Sequence, residues 1–299
     1  MNTFSKLAVP ASLGLLLAGC GGGTSVPLAG SSLSQSAISH VESQAASSVH
    51  VMPVFHPGEA PPPAQGLLLY HNGPVQHATK IYVVFWGFTK KGDPDKERAY
   101  LESFLKNVGG SSWLNTVTQY HDNNGNIGNA ANQLAKVWVD KGNAIPTSPS
   151  DADIQAEAVR LAAKFGYDND ASYVVATSHG HNSPGFGTSF CAYHGHIHNS
   201  NGSVAYTNLP YIPDAGSSCG MGSVNNPGTL DGVSIVEGHE LAETQTDPIP
   251  TSGWATSSGS EIGDLCAWQN LQNTQFSSGT FPTQPLYSDA SASCVQSYQ

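Results

Sequence analysis

Between Val236 and Pro248 the chain reads VEGHELAETQTDP, with four carboxylates and one imidazole in a short helical run. Glu237, Glu240, Glu243 and Asp247 repel one another at neutral pH. Their flanks, Val233, Ile235, Val236, Leu241 and Ala242, are apolar, so the run is expected to be buried. A buried carboxylate needs a partner, because the interior does not solvate its charge. After Lys164 the sequence contains no Lys or Arg. Compensation must come from distant N-terminal residues, backbone donors or a bound cation.

On a helix, His239 and Glu243 lie four residues apart and project from one face, about 6 Å from each other. That spacing lets both converge on one cation. Glu240 sits beside them, placed to reach a metal-bound water without being a ligand. HELAE is therefore similar to an HExxE variant of the zincin metallopeptidase helix, in which Glu240 is the catalytic base. The bland alternatives are a solvated helix face and a hydrogen-bonded acid cluster. A third ligand is expected from SGSEIGDLCAW: Glu261 binds the metal and Asp264 orients His239, or the two exchange roles. Asp247, two turns past His239, is expected to bracket the turn at TDP. So oxygen-rich a set tolerates harder ions such as Mn²⁺ or Ca²⁺, with Zn²⁺ the first expectation.

The N-terminus reads as a targeting segment, with Lys6 before a short apolar stretch that ends in LLAGC. That ending resembles the lipobox of bacterial lipoproteins, whose Cys is acylated, so Cys20 is the expected lipid anchor and 1–19 the signal peptide. Gly21 at the next position points to the outer membrane of a Gram-negative cell. The anchor tethers the chain without spanning the bilayer. Residues 20–65, rich in Ser, Gly and Pro, are expected to form a disordered tether. Residues 66–299 suit a single domain. Removing Lys6 with the signal leaves ten basic and 22 acidic residues, a net charge near −12. That balance excludes nucleic acid as a partner. Cys191, Cys219, Cys266 and Cys294 remain, an even number in an exported chain. Pairing Cys191 with Cys219 and Cys266 with Cys294 closes the local loops, and no CxxC spacing favours a Cys-based zinc site.

Strands are expected at GLLLYHNGPV and KIYVVFWG, joined by a turn at Asn72-Gly73-Pro74. Asp93 is expected to cap a helix that Gly109 ends, and SSWLNTVTQYH to add a short one. LAKVWVD reads as a strand. A further helix, opened by Ser150 or Asp151, turns Ile154, Ala158, Leu161 and Phe165 inward, and ASYVVATSH follows as a strand. An irregular Cys-containing region precedes the charged helix near 229–246, capped by Thr229 or Asp231. Strands and helices mix without strict alternation, in the order of zincin domains. The fold class is α+β with a zincin-like mixed sheet.

HGHIH places His194, His196 and His198 on one strand face. Such a row binds metal or, more simply, lines an edge strand with exposed polar groups. In zincin domains an edge strand borders the substrate cleft. Ser178 beside His179 carries no distinguishing hydrolase geometry, and no nucleophile elbow or phosphate loop is present.

LLLYHNGPV followed by KIYVVFWG also resembles the N-terminal signature of the phosphate-induced protein 1, or EXORDIUM-like, family of secreted proteins. SSWLNTVTQY resembles its Trp-containing helix, and LDGVSIVEGHELAETQTDP follows at similar spacing. Two functions are therefore expected. One is a lipid-anchored, metal-dependent hydrolase acting on peptide or protein. The other is a non-catalytic EXORDIUM-like cell-surface module that binds a glycan or protein and keeps a structural metal or acid cluster. An open coordination position separates the two.

Overall fold

The computed structural model describes residues 49–56, 58 and 66–299. The expected signal peptide, the expected tether up to 48 and the expected lipidation of Cys20 lie outside the described residues.

A six-stranded mixed sheet organises the chain. Its strands are β1 (Val49–Pro53), β2 (Lys80–Trp86), β3 (Leu134–Asp140), β4 (Ala171–Thr177), β5 (Phe190–Asn199) and β6 (Gly202–Leu209), in the order β1-β5-β6-β4-β2-β3. β3, β2, β4 and β6 run parallel to one another, whereas β5 is antiparallel to both β6 and β1. Apolar runs on both faces explain why β2 is central. Ile81, Val83 and Phe85 enter one core, and Tyr82, Val84 and Trp86 enter the other.

Three helices cover the sheet: α1 (Glu97–Val108), α2 (Asp151–Phe165) and α3 (Asp231–Thr246). α1 and α3 share the core of Val83 and Phe85, while Ile154, Ala158 and Leu161 of α2 fill the core of Val84. Ser150 caps α2 through a capping box with Asp153. All sixteen residues of α3 are buried, so the charged helix has no solvent face. Both disulfides, Cys191–Cys219 and Cys266–Cys294, form as expected.

Several local expectations give way. Leu69 and Tyr70 pair with Ala255 and Trp254, not with β2, so no hairpin forms around Asn72-Gly73-Pro74. Asp93 does not cap α1, which starts at Glu97 after a left-handed Lys96; its carboxylate accepts from the Tyr211 hydroxyl. The short helix expected within SSWLNTVTQYH does form, as a 3₁₀ helix over Leu114–Gln119. Asp231 caps no helix end through its side chain and accepts instead from the backbone N–H groups of Val224 and Asn225. Within the stretch expected to be a disordered tether, Val49–Pro53 form β1, anchored by the fully buried Met52. β5 is therefore an inner strand and not the sheet edge.

Candidate metal centre

α3 carries His239, Glu240 and Glu243 on the face that looks toward β5 and the 261–264 turn. His239 Nε2 lies 3.1 Å from Glu243 Oε1 and 3.6 Å from Asp264 Oδ1. From β5, His194 Nδ1 reaches Glu240 Oε2 at 3.2 Å and Glu243 Oε2 at 3.7 Å, and its Nε2 lies 3.6 Å from Glu261 Oε2. From β1, His50 Nε2 contacts Asp264 Oδ2 at 2.6 Å and its Nδ1 lies 3.4 Å from Glu261 Oε1. Three imidazoles and four carboxylates from four segments thus meet at one place. His194, His239, Glu240, Glu243 and Glu261 have no exposed side-chain surface.

The chemistry of this donor set fits a divalent cation. His194 Nε2, both nitrogens of His239, Glu240 Oε1, Glu243 Oε2 and both oxygens of Glu261 are buried without a hydrogen-bond partner. Native interiors leave few such groups, and rarely several side by side. Two triads bring one ligand atom each to within 4.8 Å of the others: His50, Glu243 and Asp264, and His194, Glu243 and Glu261. Glu243 belongs to both.

Electrostatics divides the imidazoles. Burial pushes His194 down to about 4, against the pull of Glu243. Burial also acts downward on His239, but Glu243 beside it prevails and holds it at about 9. At His50 burial is likewise outweighed, by Glu243 and the Asp264 bond, leaving it at about 10. Burial raises Glu240 to about 7 against the pull of His239, and raises Glu261 well above the carboxylate range, with Glu243 adding to it. Burial would raise Asp264 too, but the His50 bond outweighs it and holds the carboxyl below its usual value.

The expected site residues His239, Glu240, Glu243, Glu261 and Asp264 do meet. One detail differs: Asp264 faces His239 Nε2, the nitrogen that also faces Glu243. Nδ1 instead looks at Gly263, where an added Cβ would stand 2.6 Å away. Asp264 also helps its own turn, accepting the Glu261 backbone N–H while its own N–H donates to Glu243 Oε1. Asp247 stays outside the cluster and brackets its turn, accepting from the N–H groups of Thr251, Ser252 and Gly253. Of the histidine row, His194 is fully buried in the centre, His196 is half-buried, and His198 bonds Ser203. His50 was not anticipated. Its signal is the alternation in VHVMP, where Val49 and Val51 alternate with His50 and Met52.

Fold and site define a disulfide-bridged α+β protein built around a buried histidine–carboxylate centre. The conserved region of phosphate-induced protein 1 matches residues 68–290, and the chain belongs to that family. It is 28% identical over 234 residues to Protein EXORDIUM-like 5 of Arabidopsis thaliana, covering 67% of this chain and 63% of that protein. The chain thus spans less than two thirds of the curated relative's length. No solved structure matches. The two disulfides accord with an exported protein. Among the described residues no helix is long and apolar enough to cross a membrane.

Proposed function

We propose that this chain is an exported EXORDIUM-like module whose centre holds one divalent cation, zinc first, in a closed and structural role. The observation that carries the reading is the convergence of fully buried His194, His239, Glu243 and Glu261, each with a ring nitrogen or carboxylate oxygen that has no hydrogen-bond partner. Imidazole nitrogen favours zinc over harder ions, and the carboxylates supply the compensating charge. His50 and Asp264 complete the ring of donors. A bound ion would supply the positive charge that the Lys- and Arg-free second half of the chain lacks.

The hydrolase reading needs an open position beside Glu240. Glu240 instead has no exposed side-chain surface and faces His194. Its role in this arrangement is to hold β5 against α3 through His194. The test is thermal unfolding of chelator-treated protein with and without added Zn²⁺. An ion bound only by the folded state adds about 4 kcal/mol at a thousandfold excess over Kd, and His194→Ala should abolish the gain. A melting temperature indifferent to chelator and zinc would overturn the reading.

A further inference from the structure

β1 joins the domain from outside the family's conserved region. It precedes residue 68, where the family's conserved region begins, and the intervening 57–65 reads PGEAPPPAQ. Its register sets Val49 opposite Gly195, His50 opposite His194, Val51 opposite Tyr193 and Met52 opposite Ala192. Residues facing each other across an antiparallel pair share a face, so His50 and Met52 both point toward α3. Val51 points away and is 41% exposed. Three kinds of contact hold the segment. Backbone pairing runs along β5. His50 meets Asp264 and Glu261, and Met52 is fully buried in the apolar core. Beyond it, the Pro53 carbonyl accepts the Trp268 indole N–H, and the Phe55 ring lies 5.2 Å from Trp268.

These are the contacts by which proteins bind a foreign strand: main-chain bonds for affinity and alternate side-chain sites for specificity. Without β1, the outer edge of β5 would present unpaired N–H and C=O groups, and Glu240, Glu261 and Asp264 would border an apolar slot. We propose that this edge is a binding groove for an extended peptide of another protein, with residues 49–53 as its built-in occupant. The acidic wall and the net charge of −11 select a His, Lys or Arg facing Asp264 and Glu261, and the slot selects Met or a similar apolar residue two positions later. The peptide runs antiparallel to β5, as β1 does. A tethered occupant competes at an effective concentration that reaches the millimolar range, so a free peptide enters only when β1 is loosened. Because His50 also completes the ring of donors, displacing β1 takes one donor from the centre; the proposal stands on the geometry of β1 whichever ion the remaining donors hold.

The experiment uses the full chain carrying His50→Ala and Met52→Asp, which removes the polar contact and places a carboxylate in the apolar slot. The probe is a fluorescein-labelled synthetic peptide of residues 48–56, SVHVMPVFH, followed by anisotropy with chelator and again with Zn²⁺. The double variant should bind it at least about tenfold more tightly than the unaltered chain does. A peptide with Met52 replaced by Asp should not bind. A double variant that keeps its far-ultraviolet spectrum and both disulfides but binds no peptide overturns the proposal. If that variant does not fold, a protease site placed within 57–65 of the unaltered chain replaces it. After cleavage the labelled peptide should exchange into the groove. A nicked protein that keeps its own segment through prolonged dialysis and takes up no label would make β1 an integral strand and overturn the groove.

Discussion

His50 Nε2 sits 2.6 Å from Asp264 Oδ2, joining residues 214 positions apart in the chain. The contact ties the N-terminal strand to the turn that carries Glu261 and Asp264. It makes the centre a meeting point of four segments and not a property of α3 alone.

His239→Ala should lose the ion. It should also destabilise the domain by roughly 3–5 kcal/mol, because Glu243 would remain buried without its nearest compensating group. Glu240→Gln should keep the ion, since Glu240 belongs to neither ligand triad. Metal content and thermal unfolding of the two variants check this. Equal loss of the ion in both would make Glu240 a ligand.

Gly263→Ala should disturb the centre without unfolding the protein. The new Cβ would lie 2.6 Å from His239 Nδ1 and 2.9 Å from Glu243 Oε1, both at the heart of the donor set. Metal affinity should fall roughly 10–100-fold, the range seen when a ligand's surroundings are altered. Competition with a fluorescent chelator measures it, and an unchanged affinity would place His239 outside the coordination sphere.

The motif helix and the HELAE face were legible because spacing on a helix is fixed by its geometry. His239, Glu240 and Glu243 could therefore be placed before any tertiary information. Glu261 and Asp264 followed from the search for a later acid, but their separate roles did not, because the short turn ahead of the 3₁₀ helix that opens at Asp264 brings both to the cluster. His50 stayed hidden since its neighbours read as tether. Five residues of alternation count for little against the surrounding Ser, Ala and Pro, and only pairing with β5 makes them a strand. The failed hairpin has the same cause: the Asn72-Gly73-Pro74 signal is local, whereas Leu69 and Tyr70 are claimed by Trp254 and Ala255 from far along the chain.

The second disulfide should matter to the centre as well as to the fold. Cys266 follows Asp264 by two residues, and its bridge to Cys294 closes a separation of 28. Replacing both with Ala should cost roughly 2–4 kcal/mol. It should also weaken metal binding more than the corresponding change at Cys191 and Cys219, because His194, three residues beyond Cys191, is also held by the pairing of β5 with β1 and β6. Zinc titrations of the two double variants decide the order.

Away from the centre, Glu157 predicts a distinct pH response. Its carboxylate accepts from Asn143 Nδ2 at 2.9 Å and Arg160 Nε at 3.1 Å, yet burial raises its pKa from 4.5 to about 7. The folded state therefore holds this proton more tightly than the unfolded chain does. Its stabilising contribution is complete below about pH 4.5 and is lost as pH rises toward 7. Glu157→Gln should flatten that part of the stability profile, measured by denaturant unfolding between these limits. An unchanged slope would show that Glu157 is ionised throughout.

The central claim is that the histidine–carboxylate cluster holds a single divalent ion, and X-ray absorption at the metal edge of the purified protein tests it most directly. The account predicts one ion per chain with a nitrogen and oxygen shell at about 2.0–2.1 Å, outer scattering from imidazole, and loss of that pattern in His194→Ala. An ion far below stoichiometry, or an all-oxygen shell that His194→Ala leaves unchanged, would contradict it.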